Sequence, residues 1–190
     1  MRKSYLLISF ISLTTLVACN NGPTQIKVTY EEFYAKSQEI EDHRYSKATL
    51  TCNAFVDVTQ GGETTYIDKT LTFNYVWDEE QNRFVSTDEE EAGFSNDISK
   101  TIKELLANHP EEPEDYKVVG CQYFINPFRT YVDYTETIEE ERTIRTIEEK
   151  VFDKYGYLTY YKLEATVQGT YKEQEISGVE RTTFSVIYQD

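Results

Sequence analysis

The chain has 190 residues, 19 basic against 34 acidic, with a formal net charge of -15. That length suits one domain of ordinary size, and a hydrophobic fraction of 39% with 14% aromatics is too rich for a disordered chain. The acidic balance argues against nucleic-acid binding, which needs clustered Lys and Arg, and four Pro with eight Gly exclude collagen-like and proline-rich architectures.

Arg2 and Lys3 form a short positive start, and an apolar run interrupted only by Ser and Thr follows from Tyr5 to Val17. The run is shorter than the roughly 20 apolar residues that span a bilayer, and the pattern is that of an export signal. It ends in Leu16-Val17-Ala18-Cys19, which resembles the lipobox of bacterial lipoproteins at every position. The resemblance implies diacylglyceration of the Cys19 thiol and cleavage just before it, with 1–18 the signal peptide and 19–28 a lipidated N-terminus and short linker. Losing Arg2 and Lys3 would make the mature chain two charges more negative. Two acyl chains hold a protein on a membrane stably, where one does so only marginally. The expected location is the outer face of the bacterial cytoplasmic membrane, or another envelope membrane, with 29–190 as a single α+β domain on the tether.

Within that domain, Val28 to Tyr45 reads as a helix: Phe33, Ser37 and Ile40 share a side with Tyr30 and Tyr34, and Thr29 is the N-cap before Glu31 and Glu32. Period two follows. Ala48, Leu50, Cys52, Ala54, Val56 and Val58 alternate with mostly polar neighbours, and Gln60-Gly61-Gly62-Glu63 supplies a turn into a strand from Thr64 to Trp77. A short strand, Arg83 to Ser86, comes after the polar turn at 78–82. A second helix fits Asn96 to Asn108, with Ile98, Ile102, Leu105 and Leu106 as its stripe, Ser95 as N-cap and Pro110 as its stop. The remainder reads as strands: Tyr116 to Ile125, Phe128 to Ile138, Arg142 to Asp153, Tyr157 to Gln168 and Gly178 to Tyr188, with Gly156 supplying the positive φ of one turn.

These elements predict α+β: one large curved antiparallel sheet of about seven to eight strands, covered by two helices. From Thr29 to Tyr188 the element order is similar to the half-barrel lipid-binding folds of LolA- and LppX-like lipoprotein carriers. The resemblance implies a cavity for an amphipathic ligand between sheet and helices. The residues alone equally allow a helix-packed meander with no cavity.

The chemistry-bearing residues do not converge on a reaction. There is no GxSxG turn, His43 and His109 each sit near a helix end, and chance alone pairs carboxylates among 34 acids. No CxxC, DxDxG or Gly-rich phosphate loop occurs, so no metal and no cofactor is expected, and neither is an enzyme. The acidic runs Asp88-Glu89-Glu90-Glu91 and Glu139-Glu140-Glu141 read as solvated segments. With Cys19 lipidated, Cys52 and Cys121 remain, either as a disulfide contributing about 4 kcal/mol by loop entropy or as buried free thiols. Sixteen Tyr follow largely from strand propensity, but Tyr155, Tyr157, Tyr160 and Tyr161 place rings on both faces of one strand and suggest an exposed aromatic binding surface. The function expected is non-enzymatic binding of an amphipathic ligand or a cell-surface protein; the alternative is a structural or interaction lipoprotein of the envelope without a small ligand. The sequence does not set an oligomeric state.

Overall fold

Alternation of apolar and polar residues builds one antiparallel sheet that dominates the molecule. The computed structural model describes residues 25–88, 94–138 and 141–190. The expected signal peptide, Cys19 and most of the linker lie outside these residues, as do Glu89 to Gly93 and the pair Glu139-Glu140. The strands are β1 (Ile26–Val28), β2 (Lys47–Gln60), β3 (Glu63–Asp78), β4 (Arg83–Ser86), β5 (Gln122–Ile125), β6 (Arg129–Ile138), β7 (Arg142–Phe152), β8 (Leu158–Tyr171) and β9 (Gln174–Gln189). The helices are α1 (Tyr30–Gln38), α2 (Ser95–Ser99), α3 (Ile102–Leu106) and α4 (Glu114–Val119).

The sheet order is β1-β5-β6-β7-β8-β9-β2-β3-β4, antiparallel throughout. β5 to β9 form a meander, and β9 then pairs along the whole of β2, from Lys47↔Gln189 to Gln60↔Ile176. Register stacks the inward residues in rows. Ala48 lies between Tyr75 and Tyr188, Leu50 between Phe73 and Val186, and Cys52 between Leu71 and Phe184. The first two rows, with Phe33, Phe84, Ile98, Ile102, Tyr123, Phe152 and Leu158, form one buried cluster. At the far ends of the long hairpins the same face loses its helical cover, and Ile67, Leu71 and Leu163 are exposed.

Several expectations are corrected. The sheet has nine strands among the described residues rather than seven or eight, and four short helices replace two long ones. The first helix stops at Gln38, after nine residues, so that His43 and Tyr45 can enter the aromatic cluster, with the His43 ring stacked 4.0 Å from that of Tyr155. Its start is as expected: Thr29 and Glu32 form a reciprocal capping box. The expected second helix breaks at Lys100, which is extended at φ -103°, ψ 136°. There the Thr101 side chain caps α3 and its backbone bridges to Tyr157, both incompatible with a continuous helix. The stretch from Tyr116 is not strand until Gln122: α4 runs from Pro113 to a left-handed Gly120, the usual placing of Pro before and Gly after a helix. The last hairpin is longer than expected and turns on Lys172-Glu173, both with positive φ.

Candidate functional site

A cleft of about 350 Å³ with aromatic and aliphatic residues in its lining lies where the helices meet β5 to β8. Ligand pockets commonly occupy roughly 300–1,000 Å³, so this is at the small end of that range. Larger hollows of about 500 and 530 Å³ lie at the hairpin tips around Glu173 and Gly169, lined mainly by polar and glycine residues. Tyr30 and Phe33 project into the cleft from α1, Ile102, Leu105 and Leu106 from α3, and Tyr116 from α4. The sheet contributes Tyr123 of β5, Thr130 of β6, Lys150 and Phe152 of β7 and Leu158 of β8. His109 and Pro113 of the connector also line it, and Asp97 of α2 and Asp115 of α4 complete the lining at exposed positions. A smaller cleft of about 200 Å³ shares Asp115, Tyr116, Thr130 and Lys150 with it, and Glu148 and Cys121 lie on its far side.

The apolar wall is held rigidly. The Tyr30 ring meets that of Tyr123 edge-on at 5.2 Å, and Phe33 packs 5.2 Å from Tyr123 and 5.6 Å edge-on to Phe128. The Tyr30 hydroxyl donates to the His109 carbonyl at 2.7 Å, and that of Tyr123 donates to a Glu112 carboxylate oxygen at 2.7 Å. These bonds tie the 109–113 connector to helix and sheet, so the roof of the cleft is anchored at both ends.

Electrostatics keep the buried hydroxyls and thiols neutral. Burial pushes the Tyr30 hydroxyl up to about 12, and the nearby Tyr116 and Glu112 add to it. Tyr123 is raised further, by burial and then by its bond to Glu112. Burial also raises Tyr116, against the opposing pull of Lys150. Tyr161 is held at about 12 by burial and Glu148. Both thiols are raised by burial, Cys121 in spite of a hydrogen bond with Tyr123. None of these groups is set up as a nucleophile, which needs a lowered pKa or an adjacent base. Among the described residues no group of three His, Cys, Asp or Glu side chains could hold a metal ion.

The residues singled out by sequence scatter. Cys52 and Cys121 are both free. Cys52 lies in β2 and Cys121 just before β5, five strands apart in the sheet order, about 24 Å along the sheet, where a disulfide requires Cα atoms within about 7 Å. The expected exposed Tyr face does not form. Tyr157 is 3% exposed with its hydroxyl donating to the His43 carbonyl, Tyr161 stacks on Phe184 at 4.6 Å, and Tyr155 is half-buried against the core. Tyr160, on the opposite face of β8, is also half-buried. His43 lies 2.9 Å from Asp190 and lines a different hollow from His109. No helix among the described residues is long and apolar enough to cross a membrane. Of the cleft residues, Tyr30, Phe33, Ile102, Leu105 and Leu106 stand out in sequence by helical spacing, whereas Glu112, Asp97, Asp115 and Lys150 carry no signal that separates them from other charged residues.

Comparison of the chain with protein-family models, with curated proteins and with solved structures finds no match in any of the three.

Proposed function

We propose that the protein is a lipid-anchored, extracytoplasmic binding domain without catalytic activity, and that it holds an amphipathic ligand in the cleft between α1, α3, α4 and the sheet. One observation carries this reading: the cleft of about 350 Å³ has an aromatic and aliphatic wall on one side and charged groups at its rim, the arrangement an apolar tail with a polar head requires. The neutral tyrosines that line it, and the neutral Cys121 thiol in the adjoining smaller cleft, support a binding role over a catalytic one. Tethering through Cys19 rests on the Leu16-Val17-Ala18-Cys19 sequence.

Native mass spectrometry of the chain released from its own host's envelope tests the ligand: a co-purifying mass of lipid size is the expected result. Replacing Cys19 with Ser tests the tether, and the variant is expected to leave washed membranes. A second reading, an interaction lipoprotein that docks a surface protein, is favoured by β3. Tyr66, Ile67 and Leu71 are exposed there, and β2 is the only strand beside residues 63–73 among the described residues. A clean apo mass would shift the weight to that reading.

A further inference from the structure

We infer that the head group held at the mouth of this cleft is a cation, an alkylammonium whose tail enters the aromatic pocket. The inference rests on the ligand-binding reading above and adds the sign of the ligand's charge.

Besides His109, three charged side chains line the cleft: Asp97, Asp115 and Lys150. Lys150 is already offset, with its ammonium 3.0 Å from a Glu148 carboxylate oxygen. Among the described residues neither Asp97 nor Asp115 pairs with a cation, so the mouth carries an uncompensated negative charge from two separate helices. Glu112 adds to the same field from behind Tyr123.

The lining these carboxylates share includes aromatic rings. Tyr116 follows Asp115 directly on α4 with its ring half-buried in the lining, and Tyr30 and Tyr123 continue the wall inward. Exposed carboxylates lining the same cleft as aromatic rings suit a substituted ammonium, which gains from both the charges and the ring quadrupoles. An anionic head would face two uncompensated carboxylates and find the Lys150 ammonium engaged by Glu148. The whole chain works in the same direction, since a net charge of -15 raises the local concentration of cations and repels anions.

Isothermal titration of the full chain carrying Cys19→Ser with three probes that share one tail tests the inference: octyltrimethylammonium, octyl glucoside and octyl sulfate, each below its micellar concentration. The expected order is ammonium tightest, by about tenfold over the glucoside, and sulfate weakest. Added salt should narrow the gap, because rim charges are screened. The double variant D97N/D115N should bring the ammonium-to-glucoside ratio to within about twofold. Should that variant fail to fold, as judged by its unfolding midpoint, the salt dependence of the unaltered cleft decides. Equal affinity for all three probes, or a preference for the sulfate, would overturn the cation inference while leaving the ligand-binding reading in place. Binding of none of the three would remove that reading, and this inference with it.

Discussion

Ser99 is a small residue with two duties, and replacing it with Ala isolates one hydrogen bond. Its hydroxyl donates to the Ser95 carbonyl one turn back and accepts the Phe84 backbone N–H at 2.8 Å. β4 is the outer strand at its end of the sheet, and this contact satisfies an amide that has no further strand to receive it. Ser99 is 8% exposed and Phe84 is fully buried, so water does not readily replace the hydroxyl. Ser99→Ala removes one oxygen and no carbon, so the loss reports polarity and not a cavity. An orphaned buried donor costs about 1–3 kcal/mol. For a domain of this size each kcal/mol lowers the melting temperature by about 2–4 °C, so a loss near 2 kcal/mol should appear as roughly 4–8 °C. Urea unfolding should show a lower midpoint at unchanged slope, and hydrogen exchange at the Phe84 amide should accelerate. An unchanged melting temperature would refute the reasoning. So would a large loss with Phe84 exchange unaltered, because the damage would then lie elsewhere.

Gly156 sits at φ +82°, where an added Cβ would stand 3.0 Å from Ile102 Cγ2 and 3.3 Å from Ile40 Cδ1. Gly156→Ala should therefore cost more than the roughly 1 kcal/mol of backbone strain expected for Gly62→Ala, whose Cβ at φ +86° meets nothing within 4 Å; equal unfolding midpoints would show that the isoleucines give way freely. Burial holds Tyr30 and Tyr161 at about 12 against 10.0 for a free side chain, so above pH 10 the unfolded chain releases protons the folded chain keeps. That stabilisation is complete below pH 10 and is lost as pH rises toward 12, so the unfolding midpoint should fall over this range while part of the phenolate absorbance lags. A midpoint that is flat there, with all tyrosines ionising together near 10, would contradict the burial of these rings.

The sheet was legible where the period was long. Ala48 and Leu50 are buried as the alternation from Ala48 requires, the turn expected at Gly61-Gly62 forms, and Gly156 has the positive φ expected. Short elements were not legible. β1 offers three residues, too few for any period, and is a strand only because β5 is beside it. Tyr116 to Val119 has strand-like composition, but the Pro113 and Gly120 bracket prevails and leaves Val118 exposed. Of the expected stripe, Ile98, Ile102 and Leu106 are buried even though the helix carrying it is broken, because burial follows the core and not the continuity of the backbone, whereas Leu105 is 44% exposed. The Tyr155 to Tyr161 surface was misjudged because its rings are covered by residues distant in sequence, His43 and Phe184. The cleft's walls could be read from helical spacing; its carboxylates could not, because only tertiary structure separates Asp97 and Asp115 from the other acids.

The seam between β2 and β9 also sets an order of events in time. β2 comes early and β9 late among the described residues, yet their ladder joins residue 47 to residue 189. Closing so long a loop is entropically costly, and folding slows as contacts become more distant in sequence. The meander β5 to β9 can assemble from neighbours, and so can β2, β3 and β4, but the two groups of strands join only when β9 reaches β2. The long ladder is therefore the late event, and each side of the sheet is complete before the sheet is one.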